Sequence, residues 1–141
     1  MLEVAKKNNV KITIVEAGQK LKIEKNISFN ILWPSSKNLI SENSLNNNSM
    51  VAKLIYGKFQ MLFTGDIEQI AEEKIVEKYG DKLKATILKI SHHGSNTSSI
   101  ENFINAVKPE IVLIGVGKNN KYGHPNQEVL NRLKNLRSKN L

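Results

Sequence analysis

The chain has 141 residues, 40% of them hydrophobic and 24% charged, a size and balance that predict one folded domain and exclude wholesale disorder. It contains no cysteine, which excludes disulfide frameworks and thiolate zinc sites and leaves His, Asp and Glu as the only strong metal ligands. The net charge of +8, from 21 basic and 13 acidic side chains, favours a polyanionic partner, although the lysines are scattered and form no Arg-rich block.

In chain order, residues 2–9 read as the end of a helix whose beginning is expected upstream. Residues 10–16 alternate, with Ile12 and Ile14 against Thr13 and Val15, and predict a strand ended at Gly18. Residues 20–24 alternate in the same way, with Leu21 and Ile23 on one face, and 27–32 follow as a further strand. A polar stretch rich in Asn and Ser runs from Trp33 to Ser49 and reads as a loop. The β-rich runs 50–56 and 59–63 are split by Gly57-Lys58, a hairpin signal. From there the period changes. Residues 67–79 carry helical spacing with a stop at Gly80, 85–90 read as a strand, and 98–107 as a helix capped by Ser98 or Ser99. Residues 110–116 read as a strand, and 125–137 as a helix with Pro125 at its first position. The second half is thus β-α-β-α-β-α, the first half mostly strand. No apolar run approaches the ~20 residues of a membrane span, and the start lacks the apolar stretch of a signal peptide.

Three polar clusters follow strands: Thr64-Gly65-Asp66, then Ser91-His92-His93-Gly94-Ser95, then Lys118 to Pro125. Right-handed crossovers make the three preceding strands parallel neighbours, so their ends lie along one edge of the sheet, where ligand and catalytic groups collect in open α/β folds. Taken singly each feature has an ordinary explanation: Asp66 as a helix cap, His92 and His93 as a surface pair on opposite faces of the chain, His124 as a loop residue. Their coincidence tells more. Every histidine of the protein falls at that one edge beside glycines that leave room for close approach, which favours a metal or phosphate site.

The segments Phe63-Thr-Gly-Asp66, Leu88-Lys-Ile-Ser-His-His-Gly-Ser95 and Val116-Gly-Lys-Asn-Asn-Lys-Tyr-Gly-His-Pro125 resemble the ordered signature of the metallo-β-lactamase-fold domain of ComEC-type DNA-uptake (competence) proteins. Leu32-Trp-Pro and Asn47-Asn-Ser-Met-Val-Ala-Lys-Leu-Ile-Tyr-Gly57 match segments that precede the Thr-Gly-Asp motif there, and the resemblance covers residues 26–136. The resemblance implies an α/β fold, a metallo-β-lactamase-like αββα sandwich of which this chain holds the C-terminal part only, as a single domain over residues 1–141 shortened on its N-terminal side. It implies one or two divalent ions, zinc or manganese, that activate water and clamp an oxyanion. Asp66 is then the carboxylate bridging the ions, His92 and His124 are metal ligands and His93 a catalytic residue. Ser95, Lys118 and Asn120 contact phosphate oxygens. Alternation turns only one of His92 and His93 inward, and the choice falls on His92. The implied substrate is a DNA phosphodiester, and the implied parent a bacterial cell-membrane protein. The family's His-x-His/Asp-x-Asp-His run is missing, since no histidine precedes His92. The helix expected to begin upstream favours truncation as the reason, and weak or no hydrolysis is expected of the chain alone. Residues 10–16, 20–24 and 27–32 are expected to supply a second layer over the sheet. A non-catalytic module binding nucleic acid or a partner through its basic surface, or a small-molecule metallohydrolase such as a phosphorylcholine esterase or lactonase, are the competing functions.

Overall fold

The computed structural model describes residues 2–138. Six strands form one sheet in the order of the chain: β1 (Lys20–Glu24), β2 (Ile27–Trp33), β3 (Val51–Tyr56), β4 (Phe59–Phe63), β5 (Ile87–Lys89) and β6 (Ile111–Leu113). Five helices accompany them: α1 (Leu2–Lys7), α2 (Ser44–Asn47), α3 (Gln69–Tyr79), α4 (Glu101–Val107) and α5 (Gln127–Ser138). This is the mixed α/β architecture that the change of period predicts. None of the described helices is long and apolar enough to cross a membrane.

Short turns fix two of the pairings and helical crossovers fix two others. Two-residue turns at Lys25-Asn26 and Gly57-Lys58 force β1–β2 and β3–β4 into antiparallel pairs, and Asn26 and Gly57 take the positive φ such turns require. β2 and β3 are antiparallel as well. From β4 onward each connection contains a helix, and β4, β5 and β6 run parallel.

Helices cover one face of this sheet. Lys53, Leu62, Leu88 and Val112 stand in register on that face, and Leu62 and Leu88 are fully buried with Ile67, Ala71 and Ile75 ahead of and along α3, Phe103 and Val107 of α4, and Val129 of α5. Lys53 is buried there too. Its ammonium donates to the carbonyl oxygens of Lys82 (2.8 Å) and Lys84 (2.5 Å), and burial lowers its pKa.

Four expectations need correction. Residues 10–16 form no strand, and Ile14 is 91% exposed. The alternation is present but no neighbouring strand is; backbone bonding to β2 and the residue after it begins at Ala17, Gly18 and Gln19, which pair with Pro34 and Ile31. The early strands supply no second layer, because tight turns make consecutive strands neighbours in one sheet. Neither Ser98 nor Ser99 caps α4: its N-cap is Ile100, without a side-chain bond. Pro125 precedes α5 by two residues, after a cis peptide at His124–Pro125, so it is not the first helical residue. The other predicted bounds hold or move by one to three residues at an end, as element ends do. The polar stretch after Trp33 is better ordered than its composition suggests. It contains α2, Trp33 Nε1 donates to Asn47 O (2.7 Å), and the Asn48 amide bonds Ile40 O and Ser44 O (2.8 Å each).

Candidate functional site

Three loops meet at the C-terminal edge of the parallel strands. The first leaves β4 as Thr64-Gly65-Asp66. Thr64 is buried and donates through Oγ1 to Lys89 O (2.7 Å), tying the ends of β4 and β5. Gly65 sits at φ +57°, and a Cβ there would meet Ser49 Cβ at 2.8 Å, so only glycine fits. Asp66 comes next, half exposed. It does not cap α3, whose N-cap is Glu68.

The second loop, Ser91-His92-His93-Gly94-Ser95, turns tightly, with His92 (φ +46°) and His93 (φ +54°) both in left-handed conformations. Such positions cost on the order of 1–3 kcal/mol each and persist where the surroundings hold them. The His92 amide donates to Gly65 O (3.1 Å), joining this loop to the first. Gly94, at φ +82°, lies so close to Pro125 that a Cβ would stand 2.8 Å from Pro125 Cβ. Asn126 N donates to Gly94 O (2.8 Å), joining the third loop.

The three histidines and Asp66 are therefore neighbours, but in two subsets. His93 Nε2 lies 3.5 Å from Asp66 Oδ1. Its other nitrogen, Nδ1, meets the Gly115 carbonyl; a carbonyl only accepts, so Nδ1 carries a proton and donates it there. His92 belongs to the other subset. Its ring stands edge-to-face with His124 at 5.8 Å between centroids. Its Nδ1 is 3.4 Å from Glu68 Oε1, a contact that lacks hydrogen-bond geometry. The Nδ1 atoms of both His92 and His124 are buried without a hydrogen-bond partner, and Tyr122, 83% exposed, stacks over His124 with ring centroids 5.8 Å apart.

The expected phosphate contacts divide. Lys118 is exposed and free to meet an anion. Asn120 is spent on its own loop: its side chain accepts from His124 N (2.9 Å) and donates to His124 O (2.8 Å). Ser95 is buried, with its hydroxyl on Thr97 Oγ1 (3.0 Å).

Sequence reasoning passed over two carboxylates. Glu68 Oε2 accepts from Asn43 Nδ2 (2.8 Å), and Oε1 from Thr97 Oγ1 (3.1 Å) beside His92. Glu72 is fully buried and takes three hydrogen bonds from the histidine loop. Burial pushes its pKa up to about 7, against the lowering effect of those bonds and of the Arg132 charge. Their i, i+4 spacing beside Thr-Gly-Asp was the available signal, but glutamates on a helix rich in Glu and Lys look like a solvated face. A third neighbour is Lys89, whose ammonium donates to Ile90 O (3.0 Å). Its pKa is lowered by burial, while the charge of Asp66 opposes that shift.

A metal fits this edge in part. Ligand atoms on a tetrahedral ion with bonds of ~2.0–2.2 Å stand ~3.3–3.6 Å apart, and the 3.5 Å between Asp66 Oδ1 and His93 Nε2 falls in that range. A ligating histidine also commonly donates its second nitrogen to a carbonyl, as His93 does to Gly115. Among the described residues, however, no three His, Asp or Glu side chains are arranged to hold an ion.

No family model matches the chain. Sequence comparison finds relatives nonetheless. ComE operon protein 3 of Bacillus subtilis is 36% identical over 133 residues, 94% of this chain and 16% of that protein. Competence protein ComA of Neisseria gonorrhoeae is 40% identical over 108 residues, 77% of this chain and 15% of that protein. The chain is similar to one segment of competence proteins. Recombination protein 2 of Haemophilus influenzae, 32% identical over 112 residues, covers 79% of this chain, which spans 14% of it. The chain thus spans about a sixth or less of the length of the curated relatives it matches.

Proposed function

We propose that this chain is part of a metallo-β-lactamase-like hydrolase domain of a ComEC-type DNA-uptake protein, acting on DNA phosphodiester bonds with zinc or manganese. The observation that carries the reading is the Asp66–His93 pair at ligand spacing on the C-terminal edge of the parallel strands. This geometry favours His93 over His92 as the partner of Asp66. His92, between Glu68 and His124, then takes the outer role, with His124, toward substrate or a further ligand. A bound ion would act as a Lewis acid on a phosphoryl oxygen and lower the pKa of its water. Exposed Lys118 and the net charge of +8 suit a polyanion.

The αββα arrangement is supported by the sheet's second face. The rows Phe29–Leu54–Met61–Ile87–Ile111 and Ile31–Ala52–Phe63–Lys89–Leu113 stand in register there. Nearly all of these residues are apolar, and Ile111 and Leu113 are 50% and 44% exposed. A second sheet is the layer such a face suits.

The test is manganese binding by the 141-residue chain, followed by electron paramagnetic resonance. Binding that weakens tenfold or more in both Asp66→Ala and His93→Ala supports the reading; binding indifferent to both substitutions sinks it. A second reading, a non-catalytic nucleic-acid-binding module, draws on the lack of a three-ligand cluster among the described residues together with the positive charge. DNA affinity unchanged by chelator, in a chain that binds no manganese, is its signature.

A further inference from the structure

The loop that carries His92 and His93 is closed by one buried side chain outside it. Glu72, in the first turn of α3, has no solvent exposure. Its Oε1 accepts from Ser91 Oγ (2.7 Å) and from Ser99 N (2.8 Å), and its Oε2 accepts from Ile100 N (2.9 Å). One carboxylate thus holds the residue before the histidines and the two residues that end the loop. The same segment is gripped from α5, where Arg132 donates to Ser98 O (3.0 Å) and Ser99 O (2.6 Å). Inside the loop, Ser98 Oγ bridges Ser91 O and Ser95 O (3.0 Å each).

A buried carboxylate is a poor way to gain stability, because its desolvation consumes most of what its bonds return and an apolar residue of similar volume does as well or better. What Glu72 supplies is geometry. His92 and His93 sit in left-handed backbone conformations that non-glycine residues keep only under constraint, and Ser91, the residue before them, is bonded to Glu72 of α3. Glu72 also takes over the helix-capping role that Ser98 and Ser99 leave unfilled, since the Ser99 and Ile100 amides at the start of α4 point at its carboxylate.

We propose that Glu72 is the positioning residue of the His92–His93 turn, closing the 91–100 loop from α3 so that His93 faces Asp66 and His92 faces His124. The proposal rests on the functional reading above only for what the turn does; the placement of the rings stands or falls without metal or nucleic acid.

Imidazole proton–nitrogen correlation spectra of the 141-residue chain test it. In the unsubstituted protein His93 shows an Nδ1 proton held on Gly115 O. Glu72→Gln, which keeps the size and removes the charge and one acceptor, is expected to abolish that Nδ1 proton signal and shift the His92 ring signals. The amide signals of Ile31 and Ala52, remote in β2 and β3, should stay in place. Retention of the His93 Nδ1 proton signal and an unmoved His92 in folded Glu72→Gln overturns the proposal. So do changes spread evenly through β2 and β3, which mark general destabilisation. If Glu72→Gln does not fold, Ser91→Ala, which removes only the 2.7 Å link, is judged by the same two criteria.

Discussion

The two faces of the six-stranded sheet differ sharply, although the same strands make both. On the helix side Leu62 and Leu88 are fully buried beneath α3 and α4. On the opposite side Phe29 and Phe63 touch at 6.0 Å between ring centroids, yet the face opens toward β6 until Ile111 and Leu113 are about half exposed. The helix-side rows mix apolar residues with Asn30, Lys53, Ser28 and Gln60, whereas the opposite rows are almost wholly apolar. The lesson is that cover on the second face is uneven: Ile31 and Ala52 in β2 and β3 are buried, while the β6 end of the same face stays open among the described residues. The candidate site sits at the rim between the two faces, held mainly from the covered side by Glu72 and Arg132.

The largest expected effect tests the covered face. Leu88→Ala removes a fully buried side chain and leaves a cavity, and should cost about 2–5 kcal/mol in chemical denaturation. A loss below about 1 kcal/mol would show that the helices do not seal this core. At the rim, Gly94→Ala places a Cβ at 2.8 Å from Pro125 in a backbone at φ +82°. A loss on the order of 1–3 kcal/mol is expected, with the His124 ring signal displaced as the two loops separate. An unchanged melting temperature would mean that the loops are not in contact.

The next effect is a pH dependence of the covered side. Burial raises the Glu72 pKa to about 7 from its ordinary 4.5, with Arg132 the charged group acting against the rise. The folded state therefore holds this proton more tightly than the unfolded chain. Its contribution to stability is full below about 4.5 and is lost as pH climbs through about 7. Denaturation midpoints measured across that window should fall with rising pH in the unsubstituted protein relative to Glu72→Gln. Parallel profiles for the two proteins would remove Glu72 as the cause. The smallest stability effect belongs to the open face. Leu113→Lys, at a position 44% exposed, should change stability by less than about 1 kcal/mol while lowering the fluorescence of a bound apolar dye. A loss as large as that of Leu88→Ala would mean that the open face is covered in solution and that the contrast between the faces is false.

Much of the site was legible because its chemistry is local. Thr64-Gly65-Asp66 and Ser91-His92-His93-Gly94-Ser95 each follow a strand, and the helix between them makes those strands parallel, so adjacency of the two loops could be read from period alone. Which histidine meets Asp66 could not. Strict alternation turns one of two adjacent strand residues inward, but His92 and His93 lie in a turn of left-handed residues, where the rule of alternation does not apply. Ser95 and Asn120 show a related difficulty: a polar side chain beside a motif looks like a ligand contact until its partners are seen, and here the partners are Thr97 and the backbone of His124.

The amino-acid sequence by itself determined the Gly57-Lys58 hairpin turn, the strands β1 to β4, the change to β-α units and the edge at which all three histidines collect, because turn residues, periodicity and strand-to-helix connections act over short stretches of chain. Only the tertiary structure decided that residues 10–16 stay out of the sheet, that Glu68 stands beside His92 and Glu72 closes its loop, and that His93 rather than His92 faces Asp66. Those outcomes depend on partners 19 to 29 residues away, and on whether a neighbouring strand is present to accept an alternating segment. Local pattern carries neither the position of a distant donor nor the availability of a partner strand.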